Sequence, residues 1–400
     1  MKKLLLLGGD HFLIPVVKAA KALGYYVITC DYLPDNVAHK LSDVYINFST
    51  TDKEGILAAA RELGIDGVLT YTDSGAVSAA YVAHHLGLPA TGPLESVEIL
   101  QNKARFRRFL ADHGFNAPAA GGYATYEEAV LDSGRFRLPV IVKPVDSAGS
   151  KGVTKVESWD GLEAAVSWAL NYSPSGGFII EEWIEKVGCS SDSDCFSYNG
   201  IMEVTTFSSQ RFDEKASGPY IPAAYTWPST FTEEQERSLR SELQRLITLL
   251  GMKSSVYNVE TRIGTDGKPY IMEVSPRGGG NRLSEIVHFS TGVDIISNAC
   301  RVAVGDDPVD YRQRPLTGHW AEVILHSNRD GLFDRLEIAP EVRESVVDVD
   351  LWVKKGDRVK SFIGANNAIG TLILKFPDER DMDAALKDIP SWLTVVVNEG

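Results

Sequence analysis

The amino-acid sequence predicts a mixed α/β and α+β chain of three units, and three observations carry that prediction. Strand-like and helix-like segments alternate over the first hundred residues, each helix stopping at a glycine. A glycine-rich segment follows a predicted strand in the middle of the chain, and a hairpin pattern around Asp266-Gly267 comes later. Beyond Gly305-Asp306-Asp307-Pro308 the pattern turns β-rich. A length of 400 residues exceeds one ordinary domain, and the expected boundaries are 1–100, 101–305 and 306–400.

In the first unit, residues 4–7 read as a strand, 14–23 as a helix closed by Gly24, and 26–30 as a strand ending at Asp31. A helix over 53–63 ends at Gly64, a strand follows at 67–71, and a helix at 76–86 stops before Gly87. This is the pattern of an open parallel sheet. Gly92-Pro93 and the polar turn near Gln101 mark a joint, after which 104–113 forms a helix ending at Gly114.

Strands at 140–143 and 178–181 flank the segment Asp146 to Gly152 and a helix at 162–170. Thr232 and Gln235 have capping-box spacing, and Leu239, Leu243, Leu246 and Leu250 form a helical stripe that stops at Gly251. Residues 256–262 and 268–274 pair as the hairpin. In the last unit, strands are expected at 320–325, 345–352 and 371–375, with a helix at 382–386 after Pro377.

Composition narrows the function. The chain has 40 Lys and Arg against 54 Asp and Glu, a net charge of -14, which repels nucleic acid and anionic membranes; neither is an expected partner. No run reaches the roughly 18 to 20 apolar residues of a membrane span, and the four leucines after Lys3 end too soon at Gly8 for a signal peptide. Cys30, Cys189, Cys195 and Cys300 have neither CxxC nor zinc spacing, so they are expected as small buried hydrophobes in a reducing cytoplasm.

The chemistry sits around the hairpin and the glycine segment. Glu260 and Glu273 fall on its two strands, where paired carboxylates suit a hard cation such as Mg²⁺ bridged to phosphates. Pro276-Arg277 and three glycines follow directly. Between Lys143 and Gly152, small residues, hydroxyls and exposed N–H groups suit a triphosphate, although the GxxxxGK[ST] spacing is absent. Lys103 lies upstream as a second cation. His11, Asp31, Thr72, Asp73, Ser74 and the stretch 212–225 are expected to face the substrate.

Lys103, the run Pro139-Val140-Ile141-Val142-Lys143-Pro144, the glycine segment, Glu181-Glu182-Trp183-Ile184 and the Glu260/Glu273 pair follow the order of the ATP-grasp superfamily. The chain resembles that superfamily over most of its length, in particular its amino-acid-ligase and carbamoyl-phosphate-synthase-like branch. Residues Val353-Lys354-Lys355-Gly356-Asp357-Arg358-Val359 are similar to the C-terminal domain of L-amino-acid ligases. The resemblance implies a Rossmann-like pre-ATP-grasp domain, an ATP-grasp fold of two α+β subdomains and a small β-rich C-terminal domain, in that order.

It also implies ATP and Mg²⁺, two ions with Mn²⁺ an admissible substitute. Lys103 and Lys143 would hold the α- and β-phosphates, with Ser147, Gly149, Ser150 and Gly152 closing over the β/γ end. Glu181, Glu182, Trp183 and Ile184 would form a hinge whose main-chain groups at Glu182 and Ile184 read adenine. Glu260 and Glu273, with Ser275, would hold the metal. Arg277, with Lys143 and Arg282, would stabilise an acyl phosphate made from a small carboxylate before an amine or thiol displaces phosphate.

Two departures stand out. Ser275 replaces the asparagine that many members carry. Ser190 stands where a ribose-binding glutamate is common, with Asp192 as the available stand-in. A purine-pathway ligase resembling phosphoribosylglycinamide synthetase is the alternative substrate reading, a non-catalytic ATP-binding protein the alternative class, and a homodimer an open assembly state. A nicotinamide oxidoreductase is disfavoured because Gly8-Gly9-Asp10-His11-Phe12-Leu13 lacks the third glycine of the dinucleotide fingerprint.

Overall fold

A computed structural model describes residues 1–213 and 221–399. Strands Val44–Ile46, Tyr26–Cys30, Lys3–Leu7 and Gly67–Thr70 lie parallel in that order. Both faces are covered, which is why Leu4 to Leu7 read as an unbroken apolar run. Leu4 and Leu6 pack against Val16, Val17 and Ala20, while Leu5 and Leu7 meet Ile56, Leu57 and Ala60. Helix Asp73–Leu86 begins three residues earlier than the apolar pattern predicted, which puts Asp73 in its first turn.

The expected joint holds a helix of its own, Leu94–Gln101, followed at once by Lys103–Asp112. Gly92-Pro93 is a start signal there: Pro93 is the cap residue. Asn102 caps the second helix, its side chain accepting from the Arg105 N–H.

Two four-stranded antiparallel sheets follow. The first runs Ala120–Tyr123, Phe178–Glu182, Val140–Pro144, Thr154–Val156 and packs on helix Leu162–Leu170. The second runs Ile201–Thr205, Ser191–Tyr198, Ser255–Ile263, Pro269–Ser275. Helix Glu233–Leu249, with the capping box formed, covers it with Leu239, Leu243 and Leu246. Its last two strands are the expected hairpin, closed by Gly267 at φ +76°.

A five-stranded sheet takes strands from both sides of position 305: Ser209–Phe212, Pro222–Trp227, His319–Leu325, Gly370–Phe376 and Val346–Leu351. The middle and last parts of the chain therefore share one sheet. A further sheet of Arg358–Val359, Gly331–Ile338 and Leu393–Asn398 backs it. Positions 214–220 of the predicted substrate-facing stretch lie outside the described residues. Among the described residues no helix is long and apolar enough to cross a membrane.

Candidate active site

The hairpin sets the arrangement of the carboxylates by register. Glu260 and Glu273 are direct cross-strand partners, as are Asn258 and Ser275. On the other side of the same strand, Glu260 pairs with Asp192 and Asn258 with Asp194. Because side chains two residues apart on a strand share a face, these six form a grid on one face of the sheet. One row is Asp192, Glu260, Glu273; the other is Asp194, Asn258, Ser275. The sequence signal was Asp-x-Asp, Asn-x-Glu and Glu-x-Ser on three strands, of which only part was read.

Glu260 and Glu273 are each 31% exposed at the side chain and are held by cations, Glu260 by Arg262 at 2.9 Å and Glu273 by Lys103 at 3.5 Å. Among the described residues no group of three or more His, Cys, Asp or Glu is gathered to hold an ion alone. The Glu260/Glu273 pair suits Mg²⁺, which takes one or two protein carboxylates and completes its shell with phosphate and water oxygens. Ser275, expected as a metal contact, is engaged in hydrogen bonds. Its hydroxyl donates to Asp73 at 2.8 Å and accepts from Gln101 at 3.2 Å, so it ties the hairpin to the N-terminal unit.

Asp192 stands beside Glu260, its cross-strand partner. It accepts from Asn258 at 2.7 Å, and burial, then Glu260 and Asp194, push its carboxyl up to about 7. Asp194 is pushed up by burial to about 6 although Ser284, the Gly279 N–H and Asn258 donate to it. The triple glycine has a steric origin here. A Cβ on Gly278 would stand 1.9 Å from Tyr71, and one on Gly279 2.7 Å from Asp194. Gly278→Ala is expected to cost about 1–3 kcal/mol by overpacking, read as a lower urea midpoint; an unchanged midpoint would show that Tyr71 yields freely.

Arg277 is buried and bidentate on Asp73, Nε to Oδ1 at 2.8 Å and Nη2 to Oδ2 at 2.6 Å. Asp73, expected on the substrate surface, thus joins the first unit to this arginine. Burial works against its charge, but Arg277 and Ser275 hold its carboxyl below the ordinary value. Arg282 donates to Glu285 at 3.0 and 2.9 Å and pairs with Asp348 at 2.6 Å.

On the phosphate side, Lys103 Nζ donates to the Ser147 carbonyl at 2.8 Å, joining the first helix of this unit to the glycine segment. Gly149, Ser150 and Gly152 all have left-handed backbones, at φ +69°, +57° and +72°. The segment is anchored at its base by Asp146, which accepts from Ser173 Oγ and the Ser175 N–H. Lys143 Nζ lies 2.5 Å from Glu181, whose other oxygen takes Arg107 Nε at 2.8 Å. Arg107 was not anticipated; it falls one turn after Lys103, between the buried Phe106 and Leu110.

Glu181 is therefore an internal counter-ion, buried with its carboxylate fully engaged. The Glu182 N–H donates to the Ala119 carbonyl at 2.9 Å, so only its carbonyl remains for the expected adenine contact. Trp183 is half-buried, its indole N–H on Glu185 and the Lys155 ammonium 4.8 Å from its ring centre. His11 stacks on Trp352 at 5.0 Å, linking the first and last units.

Residues 136–285, which contain the glycine segment, the hinge, the carboxylate grid and Arg277, match the ATP-grasp domain family. The chain carries an ATP-grasp domain. The whole chain superposes on the L-amino acid ligase of Bacillus licheniformis with a TM-score of 0.83 and 22% identity, covering 100% of this chain and 99% of that one. Phosphoribosylglycinamide synthetase from Anaerococcus prevotii superposes with a TM-score of 0.79 and 19% identity, covering 99% and 100%. In sequence, human carnosine synthase 1 is 25% identical over 337 residues, 77% of this chain but 40% of that protein. The fold of the whole chain is thus shared with these two structures over nearly their full lengths.

Proposed function

We propose that this chain is an ATP-dependent ligase that phosphorylates a small carboxylate, an amino acid or similar metabolite, and transfers the acyl group to an amine or thiol with release of ADP and phosphate. One observation carries the reading: the cross-strand Glu260/Glu273 pair, with Lys103 beside Glu273 and Ser147, lies on a short hairpin that Arg277 follows by two residues. Nucleotide-phosphate and acyl-phosphate charges would meet there.

A carboxylate is a poor acyl donor and is repelled by ATP, so the site must gather positive charge around the transferring phosphoryl group. Mg²⁺ bound by Glu260 and Glu273, as one ion or two, would neutralise phosphate charge and polarise the phosphoryl oxygens. Lys103 and Lys143 bind the inner phosphates, and the left-handed backbone at Gly149, Ser150 and Gly152 turns N–H groups toward the β/γ end. Arg277, aligned by Asp73, stabilises charge on the acyl phosphate. Closure of the glycine segment excludes the water that would hydrolyse it. Four thiols without disulfides fit a reducing cytoplasmic setting.

The test is ADP release by the full-length protein in pools of carboxylates and amines, with Mg²⁺. Hydroxylamine added during turnover is expected to yield a hydroxamate of the carboxylate substrate, because it intercepts an activated acyl group. ADP release on a confirmed substrate with no hydroxamate would remove the acyl phosphate from the mechanism. ATP binding without turnover in any pool would favour a non-catalytic protein.

A further inference from the structure

A cleft of about 320 Å³ opens where the first unit, the segment after the hairpin and the end of strand Val346–Leu351 meet, walled by His11, Phe12, Tyr71, Gly279, Arg282 and Trp352. That is the lower end of the roughly 300–1,000 Å³ of small-molecule sites. Its wall leads to Arg277 by two short routes. Gly278, next to Gly279, gives its carbonyl to Arg277 Nη1 at 3.0 Å. Tyr71 stands two residues before Asp73, which holds the same guanidinium.

Most side-chain donors around the cleft are already committed. Arg282 gives Nε and Nη2 to Glu285 and pairs with Asp348, while its Nη1 and the Tyr71 hydroxyl are enclosed by protein. The Ser284 hydroxyl and the Gly279 N–H both donate to Asp194. The Trp352 indole N–H donates to Asp350 Oδ2 at 2.8 Å.

Two acceptors stay open. Asp350, which also lines the cleft, has its other oxygen without a donor, and the His11 ring has no hydrogen bond among the described residues. Burial holds the His11 imidazole below its ordinary pKa, Asp350 opposing, so near neutral pH one ring nitrogen carries a lone pair. With Arg282 matched by Glu285 and Asp348, Asp350 leaves the surroundings net negative. The His11 ring lies on Trp352 at 5.0 Å and Phe12 meets that indole edge-on at 5.2 Å, which gives the cleft an aromatic wall.

We propose that this cleft receives the acceptor of the ligation, and that the acceptor is an amine arriving as a cation with an apolar body. Its ammonium donates to Asp350 and His11, and its carbon skeleton lies along Phe12 and Trp352. The assignment rests on the ligase reading and deepens it by deciding between amine and thiol. A thiol arrives uncharged and donates weakly, so it gains little from a carboxylate. The carboxylate to be phosphorylated belongs at Arg277, because Arg282, Ser284 and the indole have no donor to spare.

The experiment uses the full-length protein with Mg²⁺, ATP and one carboxylate that supports turnover, and compares matched acceptors: butylamine with butanethiol, and 2-phenylethylamine with 2-phenylethanethiol. Comparing the amine-to-thiol ratio of kcat/KM between wild type and variants cancels the intrinsic reactivity of the two groups. Asp350→Asn keeps the shape and removes the charge. It is expected to lower that ratio by about tenfold or more, as for loss of a hydrogen bond to a charged group. The change should fall on KM for the amine, with KM for ATP unchanged.

His11→Phe keeps a ring against Trp352 but loses the acceptor nitrogen, and is expected to lower the ratio in the same direction, so the idea stays testable if Asp350→Asn folds poorly. A ratio unaltered in both variants, or a wild type that uses thiols and no amines, overturns the assignment. Equal rises in KM for amine and thiol would make Asp350 a support of the cleft alone and would overturn it too. If wild type yields neither ADP nor hydroxamate with any carboxylate, the ligase reading itself has failed; hydroxamate formation with an unaltered ratio refutes only the acceptor cleft.

Discussion

Glu273→Gln is expected to abolish Mg²⁺-dependent ADP formation, lowering kcat by about a thousandfold or more, with little change in the unfolding midpoint. Glutamine keeps the shape and one oxygen but removes the charge that makes a carboxylate a ligand for a hard cation. The fold loses little, because the Lys103 contact at 3.5 Å is partly exposed and such pairs are worth about 0–1 kcal/mol. Glu260→Gln removes the opposite ligand but also frees Arg262, bound at 2.9 Å. Its effect on activity should be similar, with a larger effect on stability. Turnover of Glu273→Gln at the wild-type rate, with the same Mg²⁺ dependence, would place the metal elsewhere.

The legibility of this site follows from the range of each interaction. The hairpin was readable because Asp266-Gly267 is a local turn signal between alternating strands, and the register Glu260 to Glu273 follows from the turn. The strand holding Lys143 and the glycine segment were readable because they are contiguous. Arg107, by contrast, looked like one more arginine in a helix containing Arg105 and Arg108. Only the folded chain shows that it turns inward to a carboxylate 74 positions away.

Asp73 and Arg277 are 204 residues apart, and nothing local to either predicts the other. Asp192 was read beyond the hinge because its strand's register is set by pairing with Ser255–Ile263, not by distance from Trp183. The fold divides in the same way. Strands Gly331–Ile338 and Leu393–Asn398, which pair across more than 50 residues of chain, were not foreseen. The parallel sheet of the first unit, built from consecutive βα steps, was.

The largest loss of stability is expected from Glu181→Gln. Glu181 is nearly inaccessible and faces two cations, Arg107 Nε at 2.8 Å and Lys143 Nζ at 2.5 Å. Arg107 continues to the Met272 carbonyl at 2.8 Å, beside Glu273, so one buried carboxylate links the glycine-segment sheet to the Glu260/Glu273 hairpin. Removing its charge leaves two buried cations uncompensated, a change that typically costs about 3–5 kcal/mol. Both partners of the Lys143 contact have lowered pKa values for different reasons. Lys143 loses more to burial, with Arg107 and Lys103 adding to the loss, than it gains from Glu181. Burial also opposes the charge of Glu181, but Arg107 and Lys143 together hold it down at about 2.

A carboxyl depressed from the ordinary value of 4.5 to about 2 contributes stability that is fully present above the unfolded value and is lost as pH falls through the folded one. Wild-type urea midpoints are therefore expected to decline between about pH 4.5 and 2, and Glu181→Gln is expected to lack that component while starting from a lower midpoint at neutral pH. Released from Glu181, Lys143 is also expected to hold phosphate less well, raising KM for ATP. Equal neutral-pH midpoints for wild type and Glu181→Gln would show that the triad contributes nothing net to the fold. In that case any rise in KM would reflect the position of Lys143 alone.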